Sequence, residues 1–250
     1  MPSDSPTMWV SAEPISDPAL WWTRYQQRQE ATGLRPVVCC PNAATRPLDP
    51  AEIAAVDLER VLERDWHVYR EQQLERLAAP PVAAPLPPEV AEFIEPFEDD
   101  PGAPFDRWPG LAPAADRAVD DPDKVARRVF AQWAADNPDQ VSRCHLALVA
   151  ADRSADIPAV MGWDADAPLA LLCSLLRSWE DRFGARVLAA VGSTVHVSVA
   201  HPPRTGEQAL HIALEHVLTT ADNVIKDPPT PYPDYAASLI DNNLWSFWWD

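Results

Sequence analysis

The sequence predicts an α+β fold: a small antiparallel sheet covered by helices, with a helical and proline-rich N-terminal extension. Three observations carry this expectation. Leu169, Leu172, Leu176, Trp179 and Phe183 recur at spacings of three and four, which makes one face of an amphipathic helix. The apolar runs at 187–191 and 194–200 flank Gly192-Ser193, a two-residue turn between strands. Prolines crowd 80–122 and exclude long regular structure there. The chain accordingly divides into a helical region over 1–79, an extended proline-rich segment over 80–122 and an α+β domain over 123–250.

Taken in order, residues 1–16 are polar and read as an irregular lead. Asp17 or Ser16 caps a helix running to about Thr32, with Pro18 in its first turn and Gly33 as its stop. Residues 34–40 follow as a short strand. Asp49-Pro50 opens the longest helical pattern, to about Ala78. In 80–122, Phe93, Ile94, Phe97, Phe105 and Trp108 interleave with the prolines, so this segment packs aromatics against the fold and is no plain linker. A helix over 123–136 turns Val125, Val129, Phe130 and Trp133 inward, and a strand covers 144–150. Pro168 begins the central helix and Gly184 ends it. In 194–200, Val195, Val197 and Val199 take one face, and His196 and Ser198 the other. Thr205 and Gln208 fit a capping box that opens a helix to about Thr220. A last short helix ends near Ile240. The terminal aromatics dock against the sheet, with Trp245 and Trp248 on one side and a bulge or turn near Phe247.

The formal charge is −18, from 20 basic and 38 acidic residues, and the excess is spread over both halves. Such a surface argues against phosphate-backbone binding, so no nucleic-acid partner is expected, and it suits a basic protein partner. No apolar run approaches the length of a membrane span and no basic-then-apolar leader is present, so no membrane association and a cytoplasmic location are expected. Lys124 and Lys226 are the only lysines, a coding bias of GC-rich bacterial genomes. Cys39, Cys40, Cys144 and Cys173 do not make a disulfide framework and read as small buried apolar residues.

Several tryptophan motifs carry a resemblance. They are Ala159-Val160-Met161-Gly162-Trp163, the stretch from Leu176 to Arg186, Val197-Ser198-Val199-Ala200, Glu215-His216, Asp222-Asn223 and Trp245-Ser246-Phe247-Trp248-Trp249-Asp250. Over about 143–250 the chain resembles the family called domain of unknown function 4253. The departure is at Leu218-Thr219-Thr220-Ala221, where the family has an aromatic, Cys and Pro before the turn. The resemblance implies a fold and no mechanism.

No glycine-rich phosphate loop, HExxH, GxSxG or paired CxxC occurs, and the histidines lack ligand spacing. No catalytic residue, metal site or cofactor is therefore expected. Candidate binding residues are Trp245, Trp248 and Trp249, because tryptophan dominates binding hot spots. Asp222 and Asn223 are candidates as polar groups at a helix end, against an Asx turn. Glu180 and Arg182 are candidates as a charged pair, against a place on the solvated face of the central helix. The expected function is a non-catalytic protein-interaction module of the immunity or antitoxin kind that binds a basic protein. The alternative is a small hydrolase-like enzyme using Asp222, Glu180 and His216. The oligomeric state is not legible.

Overall fold

The computed structural model describes residues 7–40, 46–78, 100–115, 120–163, 167–219 and 230–249. They form two compact units, described separately. The first combines residues 1–56, 114–202 and 242–250, and the second 57–113 and 203–241.

The first unit is α+β. Its strands are β1 (Met8–Val10), β2 (Leu34–Cys39), β3 (His145–Ala150), β4 (Ala185–Val191), β5 (Thr194–Val199) and β6 (Leu244–Trp248). They lie in the order β1-β3-β2-β4-β5-β6. All neighbours are antiparallel except β2 and β4, which run parallel through Val38↔Ala189 and Cys39↔Ala190. The sheet is thus larger than the three strands the sequence predicts. Its N-terminal segment is no mere extension, since it supplies central strand β2 and edge strand β1. The predicted irregular lead contains β1.

Its helices are α1 (Pro18–Gln26), α2 (Gln29–Thr32) and α3 (Pro50–Ala54). After them come α5 (Pro122–Asp136), α6 (Pro138–Val141), α7 (Ile157–Met161) and α8 (Leu169–Phe183), with α4 assigned to the second unit below. The single helix predicted from Asp17 is broken at Gln27-Arg28, and Gly33 closes α2 in the left-handed conformation that glycine adopts without strain. Asp17 accepts the Leu20 N–H, as predicted for its cap. The pattern from Asp49 is also two helices, of which α3 carries a full capping box from Asp49 and Glu52.

Helix α8 matches its prediction, including the stop at Gly184 (φ 65°). Pro122, Ala200 and His201 crowd the position a Cβ would take there, the nearest atom at 2.9 Å, so a side chain is excluded by space as well as by φ. Trp179 is fully buried. It stacks on Phe247 (centroids 5.0 Å) and meets Trp245 edge-on at 5.4 Å. Register pairs Val195 with Phe247 and Val197 with Trp245, so α8 covers this face of β5 and β6. On the opposite face, Trp133 of α5 lies 4.7 Å from His196, and Trp22 of α1 stacks on Phe130 of α5. Both faces of β5 are therefore buried, His196 and Ser198 included.

The terminus corrects a predicted detail. β6 pairs with β5 without a bulge, and alternation buries Trp245 and Phe247 together while Trp248 is half-buried. The backbone hydrogen bonds of an edge strand enforce a period of two, which separates Trp245 from Trp248.

The second unit holds α4 (Leu58–Ala78), residues 100–113, α9 (Gly206–Thr219) and α10 (Tyr232–Ser238). Phe105 packs against Trp66 and His211, as expected of an aromatic in the proline-rich segment. Buried Asp100 accepts the N–H groups of Gly102 (2.9 Å) and Tyr232 (3.0 Å), joining that segment to α10. Phe93, Ile94 and Phe97 lie outside the described residues.

Trp179→Ala removes the ring that α8 uses to grip β6. It lowers stability by about 3–5 kcal/mol, read from urea unfolding followed by circular dichroism. An unchanged midpoint contradicts this packing.

Candidate functional site

Trp245 (2 % exposed) and Trp249 (7 % exposed) are core, Trp249 meeting Trp163 edge-on at 5.6 Å. Trp248 is half-buried. Asp222 and Asn223 lie outside the described residues. Arg182 sits over the Phe183 ring at 4.8 Å, and its Nε donates to Ser178 Oγ at 3.0 Å. His216 is fully buried in the second unit, its Nδ1 2.9 Å from Tyr235 Oη, whereas Glu180 belongs to the first.

Glu180 is not on a solvated face: its side chain is 14 % exposed. It occupies the centre of a charged belt. Oε2 accepts the Ala155 N–H at 3.0 Å, and its oxygens face Arg186 at 3.5 Å and Arg153 at 3.8 Å. Arg153 also reaches Asp181 (2.5 Å), and Arg186 reaches Asp123 (2.9 Å). Asp123 in turn accepts from Gln29 (2.6 Å), whose amide oxygen accepts from Arg35 (3.2 Å). Beside this chain, Arg177 grips the buried Asp156 with two bonds of 2.6 and 3.0 Å. The hydrogen bond to Asp156 raises the Arg177 pKa above its ordinary value. Helical periodicity places Arg177 and Asp181 together on the outer face, but each pairs elsewhere, because the turn at Ser154–Asp156 brings closer partners.

The belt encloses a cavity of about 10 Å³, lined by Trp22, Gln29, Arg35, Asp123, Ser154 and Arg186 among others. That is room for about one water. The Glu180 carboxylate is engaged by two guanidinium groups and a backbone N–H. The belt ties α2, β2, α5 and α8 to strand β4 and to the turn at Ser154–Asp156.

Ser246 and His196 form another pair with catalytic elements. Ser246 Oγ lies 2.8 Å from His196 Nδ1. Yet His196 is 8 % exposed and its Nε2 has no hydrogen-bond partner among the described residues, so no carboxylate orients it. Desolvation lowers its pKa to about 4. A base that weak does not activate a serine at neutral pH. No group of three metal-ligating side chains occurs among the described residues.

An open groove of about 330 Å³ lies between α5 and the start of β6. Arg128, Gln132 and Asp136 line one wall at helical spacing, Asn242 and Asn243 the other, and Trp133, Val129 and Leu244 contribute apolar surface. Arg128 Nη2 donates to Asn243 Oδ1 at 3.3 Å, and Gln132 Nε2 donates to both Asp136 oxygens at 2.9 Å. Asn243 also donates to the Val199 carbonyl at 2.7 Å, which anchors that wall to β5. Sequence reasoning missed this groove. The polar row at 128, 132 and 136 is visible as a spacing of four, but nothing local places it beside residues 242–244.

Two outcomes test these assignments. Glu180→Leu leaves Arg153 and Arg186 short of an acceptor and lowers stability by about 2 kcal/mol in urea titrations. His196 stays neutral in the folded chain down to about pH 4, while the unfolded chain protonates it near its ordinary 6.5. Its contribution is therefore complete above about pH 6.5 and is lost as pH falls toward 4. His196→Gln removes about 3 kcal/mol of that acid sensitivity, read as the difference between the two stability profiles across that window.

No curated protein and no solved structure matches the chain. The C-terminal region, residues 145–250, matches the family model described as Domain of unknown function (DUF4253).

Proposed function

We propose that the protein is a non-catalytic interaction module, of the immunity or antitoxin kind, which binds a basic protein partner through the α5–β6 groove. The observation that carries this reading is the contrast between its sites. The acidic and histidine side chains of catalytic type are engaged internally: Glu180 with arginines, and His196 in a buried tilted contact with Trp133. The groove instead presents Trp133, Val129 and Leu244 with carboxamides, Asp136 and Arg128 around them. Carboxamides pair with the main chain of a peptide in both directions, donating and accepting. A charge of −18 steers a cationic partner toward the surface and speeds its encounter.

The alternative hydrolase reading names Asp222, Glu180 and His216; the Ser246–His196 contact of 2.8 Å is a different basis for one. It requires turnover that Ser246→Ala abolishes, measured with nitrophenyl esters.

The test of the binding reading is capture from a lysate, identification by mass spectrometry and titration of the purified partner. The expected partner is basic, and its affinity falls as salt rises. Gln132 and Asp136 are exposed, so Gln132→Arg with Asp136→Arg leaves the melting temperature within error and weakens binding at least about tenfold. An acidic partner, or one indifferent to this double variant, contradicts the proposal.

A further inference from the structure

Cys40 and Cys144 present their sulfurs to each other at 3.4 Å. The β2–β3 ladder explains why. Its register runs from Leu34↔Ala150 to Cys39↔His145, so the next opposed pair is Cys40 and Cys144. The Cys144 backbone is engaged elsewhere: its N–H donates to Val141 and its carbonyl accepts from Ile15. The pair is therefore not hydrogen-bonded across the ladder, which is the closer class of antiparallel pair, with Cα atoms about 4.5 Å apart. That separation lies inside the range a disulfide spans without backbone movement. The other cysteines do not compete. Cys39 alternates to the opposite face of β2, and Cys173 is fully buried beside Ile53 and Ala159.

We propose that Cys40 and Cys144 are a site of reversible oxidation, converted to an intramolecular disulfide by a small-molecule disulfide such as oxidised glutathione. Cys40 is half-buried and is the sulfur an oxidant reaches, whereas Cys144 is fully buried. The Cys40 thiolate attacks the oxidant, forms a mixed disulfide and releases one thiolate. Cys144, which donates its S–H to the Gln140 carbonyl at 3.2 Å, then loses its proton to solvent. It attacks Cys40 Sγ and expels the second thiolate. Two protein thiols and one disulfide become one protein disulfide and two small thiols. Burial and the bond to Cys40 push the Cys144 thiol up to about 12, so the second step is slow and accelerates as pH rises. The product ties an N-terminal strand to β3 across a long loop, which restricts the unfolded chain more than the folded one.

The full-length protein, first reduced and then incubated with oxidised glutathione under native conditions, is mapped by mass spectrometry without reduction. The expected product joins the Cys40 and Cys144 peptides and melts several degrees above the reduced protein. Cys144→Ala stops at a glutathione adduct on Cys40, and Cys40→Ala gives neither adduct nor cross-link. A wild-type protein that carries the adduct on Cys40 but never resolves it overturns the proposal. So does a cross-link through Cys39 or Cys173, or a melting temperature that oxidation leaves unchanged.

Discussion

The contact between α8 and β6 is the constraint on which the first unit depends. Trp179 fills the space between Trp245 and Phe247, and Phe183 reaches Trp245 one turn later at 6.2 Å. These rings come from the middle of the matched region and from near the end of the described chain. Their packing joins helix, hairpin and last strand in one step. Edge-to-face and offset geometries give each pair more than area burial alone. Because β6 is an edge strand, hydrogen bonds on one side only hold it, and the aromatic face supplies the remainder. Tryptophan enrichment in this terminus thus has a packing explanation before any binding explanation is needed.

The charged belt does for the open end of the sheet what the aromatics do for its middle. Arginine suits this work because its planar fork satisfies two acceptors at fixed angles. Arg186 bridges Asp123 and Glu180, and Arg153 bridges Glu180 and Asp181. Partly buried pairs of this kind contribute little net stability over apolar packing but are costly to break on one side. Their effect is on uniqueness: the positions of α5 and α8 beside β4 satisfy this set of charges, and a shifted helix leaves one unpaired.

The same economy shapes the functional reading. An acidic chain that pairs Asp156 and Glu180 with arginines keeps its remaining negative charge largely at the surface, where it acts at a distance. The α5–β6 groove is a place where that surface is concave and mixes amide, charge and ring. The belt's side chains are engaged in internal bonds, whereas Gln132 and Asp136 of the groove are exposed.

By itself the sequence determined the features whose causes are local. The central helix and its glycine stop, the β4–β5 hairpin around Gly192-Ser193, the inward face of α5 and the caps at Asp17 and Thr205 were all legible. Each rests on a period or a side chain within a turn of its effect. Tertiary structure decided the rest. Met8–Val10 is a strand only because β3 offers it an edge, and β2 is central only because it pairs parallel with β4. Glu180 leaves the solvated face because Arg153 and Arg186 approach from other elements. Trp245 and Trp248 part company because a paired strand imposes a period of two on a segment whose spacing suggested three. The groove exists because helix α5 and residues 242–244, more than a hundred positions apart, meet across β5. Local periodicity records which face of an element is apolar, whereas the identity of what covers that face is set by strand order and burial, which no short window of sequence contains.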